Sequence, residues 1–220
     1  MLVTTDAIVL RSRKQGETSK IVTLYTSDYG KVTVIAKGAR EMKSKFGASL
    51  EMGAVSRVVF YKKESAEPGL YLLSKSETLE RNSGLAERLE RLASAMGIIE
   101  LLLRALHDEE ANPELYALVR ETLSGIARAD EATLPHLEFR FHLVCARLMG
   151  FELDLEQITG DVTREISDVL HAIARGSDLG QPYDERTVRL VRGFFESYFA
   201  EHLPGLAGRS LKSGRVFGQL

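Results

Sequence analysis

Along the first eighty residues, apolar side chains alternate with polar ones at a period of two. Beyond Leu85 they recur every three or four residues. A period of two belongs to a strand with one face buried, and a period near 3.6 to an amphipathic helix. The first region therefore predicts strands over Ala7–Arg13, Ser19–Thr26, Lys31–Lys37, Val55–Tyr61 and Leu70–Lys75, all rich in β-branched residues. Ser27-Asp28-Tyr29-Gly30 predicts a tight turn closing the second and third strands into a hairpin, and Pro68-Gly69 a turn between the fourth and fifth. The longer connection from Gly38 to Gly53 includes a candidate short helix over Met42–Phe46.

The second region predicts five helices. Leu85, Leu89, Leu92, Met96, Ile99 and Leu103 mark one reaching about His107. Asn112-Pro113 supplies a cap and a first-turn proline for the next, which runs through Leu115, Leu118, Val119, Leu123 and Ile126. Thr133 and Pro135 open a third that Gly150 ends; a fourth spans about Thr163 to Arg175. The fifth spans Asp184 to His202, before Pro204-Gly205.

The fold class expected is α+β with two domains. Residues 1–80 form a five-stranded barrel of the OB type, with an irregular insert between the third and fourth strands. Residues 81–220 form an all-α helical bundle ending in a basic tail. Strand spacing alone leaves an SH3-like barrel open. Charge sharpens the division. Residues 1–79 carry a net charge of +5 and residues 80–220 a net of −7, and nine of the ten lysines precede residue 80. Such asymmetry suits two domains with different partners, although arginine preference in helices also accounts for part of it.

Composition excludes several classes. With 44% hydrophobic and 27% charged residues the chain is neither disordered nor collagen-like. It holds no apolar run of the ~18 residues that a membrane span needs, and its start lacks the basic and apolar regions of a signal peptide. Cys145, the lone cysteine, excludes an internal disulfide and a cysteine-clustered zinc site; reducing cytosol is the expected compartment. Catalytic signatures are absent: Gly30-Lys31 lacks the rest of a phosphate loop, there is no Gly-x-Ser-x-Gly elbow, and the five histidines include no i, i+4 pair.

The stronger signal is basic. Lys31, Lys37, Arg40, Lys43 and Lys45 bracket a single acid, Glu41, on one strand and the loop after it. A phosphate backbone is held by several cations spread along a groove, each releasing counterions. Arg11, Arg13 and Lys20 are the next candidates. Of the aromatics at hand, Phe46 and Phe60 are expected in the core and Tyr29, in a turn, exposed to bases. The competing reading is a solvated lysine-rich loop.

Ile8-Val9-Leu10-Arg11-Ser12-Arg13, Gly16-Glu17-Thr18-Ser19-Lys20-Ile21-Val22-Thr23-Leu24, Gly30-Lys31-Val32 and above all Ala36-Lys37-Gly38-Ala39-Arg40 resemble the start of the RecO family of bacterial DNA repair and recombination proteins. Asn112-Pro113-Glu114-Leu115, Arg140-Phe141-His142-Leu143, Met149-Gly150-Phe151 and Arg209-Ser210-Leu211-Lys212-Ser213 continue the resemblance to the end of the chain. It implies an N-terminal OB-fold and a helical domain. It also implies a recombination mediator, not an enzyme, that binds and anneals single- and double-stranded DNA in the cytoplasm at the nucleoid. Such a mediator helps load RecA onto DNA coated by single-strand-binding protein, with RecR and the acidic C-terminal tail of single-strand-binding protein as partners, and no membrane. No cofactor is implied. Many members carry a four-cysteine zinc element after the helix ending in Gly-Phe/Tyr; Phe151 to Ile158 contains no cysteine, so this chain looks like a shortened, zinc-free member. For the tail, Arg140 and Arg147 stand about two turns apart on the third helix, with His136, Phe139, Leu143 and Leu148 nearby. That pairs charge for the carboxylate with apolar surface, though arginines there can equally pair with Glu138 or Glu100. An OB-fold RNA-binding or translation accessory protein is the alternative, since lysines do not select DNA over RNA. A scaffold that meets only proteins is a third.

Overall fold

A computed structural model of the protein describes residues 1–62, 69–157, 161–176 and 183–203, with 157 and 161–163 given by backbone alone. Five strands, β1 (Leu2–Gln15), β2 (Ser19–Thr26), β3 (Gly30–Ala36), β4 (Val55–Tyr61) and β5 (Leu70–Glu80), close into a barrel in the order β1-β2-β3-β5-β4. All neighbours are antiparallel except β3 and β5, which run parallel. This is the five-stranded Greek-key arrangement of the OB type. The β2–β3 hairpin closes through the expected turn: the Thr26 hydroxyl donates to the Gly30 carbonyl at 2.9 Å and accepts from the Tyr29 amide at 3.0 Å.

Strand β1 is twice as long as its alternation predicts, because its first residues add a second partner. Leu2 to Ile8 pair with Tyr61 to Val55, while Ala7 to Gln15 pair with Thr26 to Ser19. One strand serving two neighbours must bend, and a bulge between Val9 and Arg11 supplies the bend. The barrel is filled by Val9, Val22, Leu24, Val34, Val58, Phe60, Tyr71 and Leu73, with Phe46 and Leu50 plugging it from the β3–β4 connection. Met42–Phe46 does not form the expected helix. The segment turns at Glu41–Ser44, and a 3-10 turn follows at Gly47–Leu50. Five residues with one apolar anchor, Phe46, cannot offset helix nucleation.

The helices are α1 (Leu89–Ala105), α2 (Pro113–Arg128), α3 (Leu134–Leu148), α4 (Asp161–Ala174) and α5 (Glu185–His202). Helix α1 starts later than Leu85, which is buried in a 3-10 turn over Ser83–Ala86. Asn112 caps α2 through its side chain, 3.0 Å from the Leu115 amide, and Asp184 caps α5 from 2.7 Å to the Thr187 amide. Two compact units result. One comprises Met1–Ser83 with Leu106–Leu123; the other comprises Gly84–Ala105 with the chain from Ser124 onward. In the second unit α3 packs against α1, α4 and α5. Buried Glu138 on α3 accepts two hydrogen bonds from Arg192 of α5, at 2.9 and 3.1 Å, and one from the Ser94 hydroxyl of α1. A carboxylate so satisfied locks three helices in one register, whereas stripped of either partner it is an uncompensated buried charge. Among the described residues no helix is long and apolar enough to cross a membrane. Pro68, Pro204-Gly205 and the Arg209–Ser213 segment lie outside the described residues.

Candidate nucleic-acid interface

Strand pairing decides which cations meet. Lys14 and Lys20 stand opposite each other where β1 turns into β2, Arg13 opposite Ile21, and Lys20 opposite Ala36, the residue before Lys37. The β3–β4 connection then folds onto the same end. The Arg40 amide donates to the Thr18 carbonyl and its guanidinium to the Gly16 carbonyl, both at 2.8 Å. Arg13, Lys14, Lys37, Arg40, Lys43 and Lys45 are exposed there, Lys20 is half-buried, and Glu17 and Glu41 are the acids among them. Arg11 is exposed two residues further along β1, opposite Thr23. Lys14 escapes the sequence reading; its signal is a register with Lys20 that appears only once the hairpin is paired.

Lys31 does not join them. It lies at the other end of β3, six residues and roughly 20 Å from Lys37 at ~3.3 Å per strand residue. There its ammonium donates to the Leu106 carbonyl at 2.6 Å and pairs with Asp108 at 3.3 Å, leaving its side chain 15% exposed. It belongs to a clasp that fastens Leu106–Leu123 to the barrel. In the same clasp Glu109 accepts from both the Lys62 ammonium and the Tyr71 hydroxyl. Burial alone would push the Glu109 carboxyl up, but those two donors hold it below the ordinary range. Burial would likewise depress the Lys62 ammonium, and its bonds to Glu109 and Tyr71 raise it instead. Gly30, in the left-handed region at φ +62°, presses against this segment: a Cβ there would stand 2.1 Å from the Glu110 carbonyl oxygen. The Tyr25 hydroxyl donates to the Asn112 carbonyl at 3.1 Å, and its ring lies 5.9 Å from that of Tyr116. Tyr29 is half-buried against Phe60, so the expectation that it faces solvent fails. A turn position does not expose a ring that can reach back over the barrel mouth.

The helical unit holds a cleft of about 340 Å³ on α3, lined by Arg140, Leu143, Val144 and Arg147, with Leu153, Leu155 and Ile173 opposite. Phe139 is not part of it. Its ring is fully buried among Tyr183 and Phe195, about a third of a turn around α3 from Arg140. His136 turns away too, stacked on Tyr183 with its Nδ1 3.2 Å from the tyrosine hydroxyl. Glu138 is held by Arg192, and Glu100 pairs with Arg104. Glu152 stands at the cleft as its acidic member. The far wall was missed because Leu153, Leu155 and Ile173 show no periodicity that points at α3. Cys145, on the buried side of α3, has its thiol pushed up to about 12 by burial, which leaves it an inert packing group. Among the described residues no group of three or more metal-ligating side chains converges.

An OB-type barrel with a cationic end, continued by helices that carry an arginine-lined cleft, defines a class of proteins that join an OB-type barrel to a helical module. The family follows from comparison. Residues 1–81 match the model for the N terminal of recombination protein O, and residues 86–202 the model for its C terminal. The chain belongs to the RecO family. It is similar to the DNA repair protein RecO of Salinibacter ruber, at 39% identity over 73% of this chain and 62% of that one. It is similar also to that of Chlorobium limicola, at 36% over 71% and 59%. The match to the protein of Chloroherpeton thalassium, at 29% identity, covers 94% of this chain and 75% of that one. The match thus spans about three fifths of the length of the first two relatives.

Proposed function

We propose that the protein is a recombination mediator that holds DNA on the basic end of its barrel. The observation that carries this reading is the gathering of Arg13, Lys14, Lys20, Lys37, Arg40, Lys43 and Lys45, from two separate connections, at one end of an OB-type barrel. Arg11 extends the path along β1. Phosphates would be tracked by these side chains through counterion release, with no base read directly. In this reading the mediator binds and anneals single- and double-stranded DNA at the nucleoid, in the cytoplasm, and helps RecA replace single-strand-binding protein. RecR is its partner, and the α3 cleft takes the acidic tail of single-strand-binding protein, with Arg140 and Arg147 for its charge and Leu143 for its apolar end. The barrel, residues 1–80, carries the DNA function and the helical region the protein contacts.

The test is a salt titration of DNA binding. Replacing Lys37, Lys43 and Lys45 together with Ala should weaken single-stranded DNA binding and make the log-affinity against log-salt slope shallower by ~2, at about 0.7 per lost phosphate contact. An unchanged slope would take Lys37, Lys43 and Lys45 out of the interface and leave it to Arg11, Arg13 and Lys20. An RNA strand that competes equally with DNA would favour the RNA-accessory reading.

A further inference from the structure

The β3–β4 connection carries one residue that neither the barrel nor the phosphate interface explains. Met42 is fully exposed, with its whole side chain in water, in the middle of a run of cations. It occupies the second position of the turn Glu41–Ser44, closed by the Ser44 amide donating to the Glu41 carbonyl at 3.0 Å. On one side of that turn, Arg40 is bolted to the β1–β2 turn through the Thr18 and Gly16 carbonyls. On the other, Phe46 is buried in the barrel core, and its carbonyl accepts from the Ser49 hydroxyl at 2.5 Å. The turn between these anchors is therefore presented outward, Met42 at its tip and Lys43 beside it, with Arg40 and Lys45 exposed on its flanks.

An unbranched thioether held in water gains nothing in the free protein. A protein-docking patch would need contiguous apolar surface, whereas the neighbours of Met42 are charged. A bilayer anchor needs more buried carbon than one side chain supplies. What suits a single slim apolar side chain ringed by cations is a base stack. The cations take the phosphates on either side, and the apolar tip enters the step between two bases, as wedge residues of DNA-bending proteins do. We propose that Met42 is such a wedge, inserting between adjacent bases of duplex DNA and unstacking them while Arg40, Lys43 and Lys45 grip the flanking phosphates. The proposal rests on the DNA-binding reading above, and gives the loop a role in opening strands beyond tracking them.

Duplexes carrying 2-aminopurine at a central step, perfectly paired or beside a mismatch, report the insertion as a rise in fluorescence. At saturating full-length protein the wild type should raise the signal, Met42→Leu should retain most of the rise, and Met42→Ala should lose it. Because a mismatch lowers the unstacking energy in advance, the wild type should prefer the mismatched duplex by ~10-fold, and Met42→Ala by less than ~2-fold. The salt slope should be the same in all three, since no phosphate contact is lost. Bound duplex with flat fluorescence in the wild type, or an identical rise in Met42→Ala, overturns the wedge and leaves the phosphate interface standing. A wild type that binds no DNA at low salt overturns both. Flat fluorescence together with Met42-dependent sedimentation on phosphatidylserine vesicles overturns the wedge in favour of a membrane contact.

Discussion

His142 sits on α3 with its ring 5.0 Å from that of Phe195 and 5.5 Å from those of Phe141 and Phe199. Its Nδ1 is buried without a hydrogen-bond partner. Burial first, and the nearby Arg192 charge second, push the imidazole down to about 3 from an ordinary value of 6.5. The ring is thus neutral in the folded protein across the range in which the unfolded chain takes up a proton. A base whose folded value is depressed makes stability rise with pH between the two values. Acidification from 6.5 toward 3 should therefore lower the unfolding free energy, with a limiting slope from this residue of about 1.4 kcal/mol per pH unit. The difference between wild type and His142→Phe in urea titrations at pH 7, 6 and 5 measures it. A difference that stays constant with pH would show that the ring is hydrated or protonated in the fold.

At the scale of elements, the clasp on the barrel depends on a residue without a side chain. Gly30→Ala places a methyl group where the Glu110 carbonyl already stands and asks a β-carbon to adopt φ +62°. The left-handed backbone alone costs ~1 kcal/mol, and backbone against backbone leaves no flexible end to move aside. We expect Gly30→Ala to destabilise the barrel by at least about 2 kcal/mol in denaturant unfolding, and to raise hydrogen exchange over residues 106–112. Unaltered exchange there would show that the segment is not pressed on β3. The same element shows where a sequence is readable and where it is silent. The alternation in Ser19–Thr26 and Val55–Tyr61 is the pleat itself, so those strands are visible in advance. Leu2–Asp6 also alternates in burial, but five residues at a chain start carry too little pattern without their partner Arg57–Tyr61. Lys31 reads like its neighbours in sequence because the carbonyl it binds is 75 residues away. Phe139 and Arg140 are adjacent in the chain, and only the packing of Tyr183 and Phe195 shows that Phe139 is the one enclosed.

Across the whole molecule the basic barrel and the arginine-lined cleft sit on different compact units, built from different stretches of chain. Their functions should therefore separate in variants. Arg140→Ala, measured by fluorescence anisotropy against a labelled acidic peptide ending in apolar residues and a free carboxylate, should lose tenfold or more of its affinity. Charge-assisted contacts to a carboxylate are worth ~1.5–3 kcal/mol. Its DNA affinity and salt slope should match the wild type, and the triple lysine variant should show the reverse pattern. Equal peptide affinity in Arg140→Ala and wild type would take Arg140 out of the peptide site. The charge imbalance along the sequence, +5 over residues 1–79 and −7 over residues 80–220, marks the basic barrel but not the boundary between the units, because the acidic Leu106–Leu123 segment belongs with the barrel. The cleft itself could not be seen, because its two walls come from α3 and from segments downstream that meet only in the folded chain.

The return of Leu106–Leu123 to the barrel bears on how the chain is made. The five strands are complete by Glu80, yet their unit is not finished until residue 123, after α1 has been laid down for the other unit. A ribosome that has released only eighty-odd residues has delivered all five strands, while Lys31, Lys62 and Tyr71 still await Leu106, Asp108 and Glu109. The two units are thus interleaved in time as well as in sequence. The first closes late, around a segment delivered from beyond the second unit's opening helix, and a gene truncated at the end of β5 encodes a cylinder without its fastening.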